Sequence, residues 1–178
     1  TSAQFIANGD GYAKFTVGEA GVARAFGLAL SPLNSVASLR HAFELSSGGG
    51  VSVVEDGVLK AQLGSYAAGD QFQVGVEGGA VVYRQNAVVV HTSALPPAYP
   101  LWAHAVLTEP GTLSAAAMHG ALAELAEWTN VGPHVGAAAG SLSREPMTPA
   151  AQEGAVSTRG ITSGGGYAEF RLSSPTAI

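Results

Sequence analysis

The chain has 178 residues, a length that fits one domain with a single buried core. It is 47% hydrophobic but only 12% charged, against roughly 25% in ordinary soluble domains, and its lack of cysteine excludes disulfides and thiolate metal sites. A net charge of -5 with two lysines, Lys14 and Lys60, gives no grip on nucleic acid, and no apolar run approaches the roughly 20 residues that insertion across a bilayer requires.

Short alternating segments punctuated by Gly, Asp, Asn and Pro predict strands at 3–7, 11–17, 24–30, 38–45, 51–54, 58–63, 71–76, 80–84, 87–92, 101–108, 111–118, 155–161 and 166–172. Successive strands meet at turns: Ser46 to Gly50, Glu55-Asp56-Gly57, Ala68-Gly69-Asp70, Glu77-Gly78-Gly79 and Gln85-Asn86. Asn86 is followed by Ala87, and a type I′ turn wants positive φ at both central residues, so a longer or differently registered loop is expected there. Alternation sends Phe43, Leu45, Phe72, Val74 and Val76 into the core, with Arg40, Glu44, Gln71, Gln73 and Glu77 pointing away. Leu113–Trp128 is rich in alanine and spaces Leu122, Leu125 and Trp128 by three, which allows a short helix that Gly120 would interrupt. Leu142–Gln152, with Pro146 and Pro149, reads as loop.

Ser2–Val17 returns near the other end as Ser157–Leu172, with identity at Ser2, Ile6, Gly9, Gly11, Tyr12, Ala13 and Phe15. The two segments are expected to lie as neighbouring strands of one sheet, to belong to successive repeats, or to serve strand donation from 155–178 to an adjacent subunit. The expected fold is therefore all-β, an antiparallel two-sheet jelly-roll sandwich spanning 1–178 as a single domain. Without an initiator Met or a signal peptide at its start, the sequence reads as a processed chain or a fragment. The absence of cysteine suits an exported module without excluding the cytoplasm, and the expected location is extracellular, on a cell surface or a virion-like particle.

The run from His41 to Leu107 resembles the core of concanavalin A-like jelly rolls, of the legume-lectin or laminin-G type, as found in tandem repeats of large bacterial surface proteins. The resemblance rests on Gly11-Tyr12-x-x-Phe15, Gly27-Leu28, Val53-x-Glu55-x-Gly57, Tyr66-x-x-Gly69-Asp70, Val76-x-x-Gly79-x-Val81-x-Tyr83-x-x-Asn86 and Pro100-Leu101. It extends to Trp128-Thr129-Asn130-Val131, Gly154-Ala155 and Gly166-Tyr167-x-x-Phe170. It implies a binding or adhesion module whose partner is a glycan or cell-surface polysaccharide. The competing class is a structural subunit of a fibre, spike or shell, which sparse charge and abundant alanine also suit.

Reactive constellations are missing from the sequence. There is no Gly-x-Ser-x-Gly elbow, and His41, His91, His104, His119 and His134 fall on separate segments. Concanavalin A-like glucanases place two carboxylates at two-residue spacing on one strand, whereas Glu55 and Asp56 are adjacent, and Glu124 with Glu127 reads as a solvated face. No enzyme activity is expected. Asn8-Gly9-Asp10-Gly11 lacks the further carboxylates of a calcium loop and reads as a plain turn; calcium would need carboxylates from separate loops.

Binding residues are sought among aromatics on outer faces. Along Leu101–Thr108, alternation sets Leu101, Ala103, Ala105 and Leu107 on one face and Trp102 and His104 on the other. An outward Trp102 would stack on a sugar ring, with His104, Tyr99 in the adjoining proline loop, Asn86 and Asp70 as further candidates. Otherwise Trp102 fills the core or a subunit contact.

Overall fold

Alternating apolar residues and tight turns set up antiparallel strands almost throughout. The computed structural model describes residues 1–32, 36–133, 135–144, 155–158 and 168, and it is all-β apart from a 3₁₀ turn at Val36–Ser38. The chain divides into two compact units, Thr1–Glu124 and Leu125–Ile178.

The first unit holds ten strands: β1 (Gln4–Val17), β2 (Arg24–Ala29), β3 (Leu39–Leu45), β4 (Gly50–Glu55), β5 (Val58–Ser65), β6 (Gln71–Glu77), β7 (Ala80–Gln85), β8 (Val88–Thr92), β9 (Leu101–Leu107) and β10 (Leu113–Glu124). They form one antiparallel sheet in the order β5-β4-β3-β2-β9-β1-β6-β7-β8, with β10 beside β1. The two strands expected at 3–7 and 11–17 are one, β1, kinked by a register shift between Asn8 and Gly11. Its first half pairs with β9, its second half with β6, and β10 accompanies both.

The inward residues read from alternation are inward: Phe43, Phe72 and Val74 are fully buried, and Leu45 and Val76 nearly so. Phe26 lies 5.5 Å from Phe72, Phe43 lies 4.9 Å from Phe72, and Phe43 lies 5.3 Å from Tyr83, ring centre to ring centre. β2 and β3 are separated from β6 and β7 in the sheet by β9 and β1, so these contacts require the sheet to curl until its inner faces meet. Such burial, at roughly 1.5–3 kcal/mol per large apolar side chain, is the main force holding the unit together. Curling stops short of closure, because β5 and β8, the two ends of the order, do not pair with each other. At Gly27 the close packing of β2 on β3 tolerates no side chain: a Cβ there would stand 1.9 Å from the His41 carbonyl oxygen.

Two local expectations are corrected in this unit. The possible helix at 113–128 is not formed; Leu113–Glu124 is strand β10, because a ladder of ten residue pairs with β1 outweighs the modest helix preference of alanine. Gly120, with φ of 131°, absorbs the irregularity opposite Gly11. The Asn86-Ala87 connection is not a longer loop but a two-residue turn, since Gln85 pairs with Val88 and both turn residues have positive φ, 51° and 67°.

In the second unit, β11 (Trp128–Thr129) pairs with β14 (Val156–Ser157), and β12 (Val135–Ala138) forms a hairpin with β13 (Ser141–Arg144). Leu142–Arg144, expected as loop, is thus strand, and Gly140, with φ of 72°, makes the turn that allows it. His134, the rest of that proposed loop through 152 and the expected strand at 166–172 lie outside the described residues, Gln152 among them, with Ala168 alone described in the last.

Candidate functional site

The inner faces of β3, β4 and β7 alternate apolar residues and then, at one end of the interior, turn polar. His41 follows Phe43 and Leu45 on the inner face of β3, Glu55 follows Val51 and Val53 on β4, and Tyr83 follows Val81 on β7. Hairpin register sets His41 opposite Glu55, and the curl of the sheet brings Tyr83 to both. The Tyr83 hydroxyl donates to Glu55 Oε1 at 3.0 Å, and His41 Nδ1 stands 3.6 Å from the same oxygen, within ion-pair range but long for a hydrogen bond.

All three side chains are buried, with Glu55 only 2% exposed. Burial pushes the His41 imidazole below its ordinary value and favours the neutral ring, against the attraction of Glu55. Burial, reinforced by Glu55, pushes the Tyr83 phenol far up, which keeps it a hydrogen-bond donor. Neither ring nitrogen of His41 has a hydrogen-bond partner among the described residues. A carboxylate and an unsatisfied imidazole in an apolar interior cost stability. Packing gives no reason for them here, and such groups beside a cleft mark candidate sites.

That cleft opens over the cluster, where β5 and β8 fail to join. Glu55, Lys60, His91, Thr92, Ala94 and Leu95 line a space of about 350 Å³. The His91 ring packs edge-on against Tyr83, centroids 5.5 Å apart. Ser93 fixes the far wall, its backbone amide donating to the Val81 carbonyl and its hydroxyl accepting from the Leu95 amide. Lys60 is exposed on β5 and has no ion pair among the described residues, whereas Arg24, Arg40 and Arg84 are paired with Glu19, Asp56 and Glu77.

The residues singled out from the sequence are spread over three other places. Trp102 and His104 do occupy the face of β9 opposite the Leu101–Ala103 core set, but they do not look outward. Trp102 is 8% exposed with its ring 4.9 Å from Phe5, and His104 is 1% exposed with Nδ1 at 3.0 Å from Thr1 Oγ1 and 3.5 Å from Ser38 Oγ. The first residues and the Val36–Ser38 turn cover this face, which alternation within a strand cannot reveal. Tyr99 is half-buried and donates to the Gly9 carbonyl at 2.7 Å.

Asp70 and Asn86 meet, Asn86 Nδ2 donating to Asp70 Oδ1 at 2.8 Å while Ala67 and Gln85 occupy Oδ2. Slight burial opposes ionisation of Asp70, yet these hydrogen bonds hold its carboxyl below the ordinary range, as befits a clamp between two turns. Asp10, in the weak calcium-like loop, accepts from the Gly78 amide with both oxygens. Among the described residues no three acidic or imidazole groups are placed to hold a metal ion.

The cleft residues escaped the sequence reading, although part of the signal was there. A turn at Ser46–Gly50 fixes the β3–β4 register and so sets His41 against Glu55, and Glu55 shares the inward parity of Val51 and Val53. The Glu55–Tyr83 contact depends on the curl of the whole sheet and has no local signature. No protein-family model matches the chain, and no curated protein sequence matches it either.

Proposed function

We propose that this chain is a non-catalytic binding or adhesion module recognising carbohydrate at an extracellular, cell or particle surface, on a concanavalin A-like two-layer jelly roll. Contact between the rings of β3 and β7 supports the two-layer reading. The cleft carries the functional one. It pairs hydrogen-bonding groups suited to sugar hydroxyls, on Glu55, Lys60, His91 and Thr92, with the apolar surface of Ala94 and Leu95 against which the C–H face of a sugar ring packs. A glycan array probed with the wild type and His91→Ala tests it. A defined sugar signal that the variant loses is the expected result; silence of the wild type across the array refutes the reading.

The second reading, a structural subunit assembling with copies of itself or with neighbouring subunits, draws on the edge strands. Val58 and Leu59 on β5 are 55% and 54% exposed, and Val88 and Val89 on β8 are 65% and 47% exposed, along edges that carry no strand partner among the described residues.

A further inference from the structure

Two charges of opposite sign line the cleft without meeting. Glu55 sits buried and is engaged by the Tyr83 hydroxyl, while Lys60 stands exposed on β5, and no ion pair joins them. Every arginine with a described side chain has a carboxylate partner, so among the described residues Lys60 is the one lysine or arginine at this opening that is free to take a ligand charge. From this arrangement we infer that the cleft takes an acidic sugar, a saccharide unit bearing a single carboxylate. The inference rests on the carbohydrate reading and narrows it.

The chemistry follows from which groups donate and which accept. Glu55 is an acceptor and takes hydrogen bonds from ring hydroxyls; Lys60 is a donor and a positive charge, suited to a carboxylate. His91 and Thr92 lie on β8 across the opening and add side-chain polar groups to the same ligand. Lys60 repels an amine as Glu55 repels a carboxylate, but Glu55 is buried and held by Tyr83 while Lys60 is exposed, so a ligand charge entering from solvent meets Lys60. A polysulfated or phosphorylated ligand brings more negative charge than one lysine can match, on a chain of net charge -5. One carboxylate against one exposed ammonium contributes modestly, a preference of about 1.5-fold to fivefold.

The test titrates the full chain, followed by amide NMR, with a disaccharide containing one uronic acid and with the methyl ester of the same compound. The ester keeps the shape and hydroxyls and removes the charge. The acid is expected to bind about 1.5-fold to fivefold tighter at low salt, shifting the signals of His91 and Thr92, with the advantage shrinking as salt rises. Lys60→Gln should erase the difference and Lys60→Arg should keep it; Lys60 is exposed, so neither disturbs the core. Equal binding of acid and ester, or a preference that survives Lys60→Gln, overturns the inference and leaves carbohydrate binding standing. Failure of both compounds, together with silence of the wild type on the array, removes the carbohydrate reading itself.

Discussion

Ala87 holds a backbone conformation that side chains avoid, with φ of 67°, directly after Asn86 at 51°. The turn survives because its neighbours determine it. Asn86 Oδ1 accepts from the Gln71 amide, its Nδ2 reaches Asp70, and Arg84 Nη1 donates to the Ala87 carbonyl. A left-handed alanine costs roughly 1–2 kcal/mol, partly offset by the greater freedom glycine has when unfolded. Ala87→Gly should therefore raise stability by about 0.5–1 kcal/mol, read from the urea midpoint; a lower midpoint would mean that the turn relaxes around alanine. At this scale the sequence is a mixed guide. It shows that the position is awkward for alanine, but not that Asp70 and Arg84, supplied from outside the two turn residues, enforce the tight turn. It likewise shows Trp102 on the outer face of β9 without showing what covers that face.

Among elements, β5 and β8, like β10, have a strand partner on one side only among the described residues, and they add a row of exposed aliphatic residues. β8 has no charged Asp, Glu, Lys or Arg, and β5 has only Lys60, so little discourages pairing with another edge. Val88→Lys should reduce concentration-dependent association in sedimentation runs while changing stability by no more than about 0.5 kcal/mol, because Val88 is 65% exposed. Association unchanged by the substitution would move self-contact away from this edge. The strands themselves were legible, because period-two alternation and Gly-rich turns are local signals. β10 was the ambiguous one: its alanines suit a helix in isolation, and only its ladder with a strand about a hundred residues away makes it extended.

Across the molecule, the buried histidines link stability to acidity. His41 and His104 are both held below the ordinary value of 6.5, chiefly by burial. The unfolded chain takes up these protons near 6.5 and the folded one resists them, so more protons bind to the unfolded state below that value. Stability is full above 6.5 and falls as the pH drops from 6.5 towards the depressed folded values. The slope reaches at most about 1.4 kcal/mol per pH unit for each histidine. Glu19, Asp70 and Glu77, held below 4.5, 3.8 and 4.5, add a separate loss that begins only under those values. Urea midpoints measured between about pH 7.5 and pH 5.5 isolate the histidine window, and a flat profile there would show that both rings charge freely in the native state. The all-β class and the inward residues could be read from the chain, whereas the curl that brings Tyr83 onto Glu55 could not, since it is a property of the whole sheet rather than of any hairpin.

β1 also sets the order in which the unit can be completed. It is synthesised before the other strands of this unit, yet Ile6 must wait for Leu101 and Leu122, and Gln4 for Glu124. The hairpins between β2 and β8 can form as they emerge, and the second half of β1 gains β6 with them, but its first half stays without β9 and β10 until nearly the whole unit has been synthesised. While this unit is being made, the first half of β1 is therefore a β-forming segment without partners, and shielding by the ribosome surface or a chaperone matters most there.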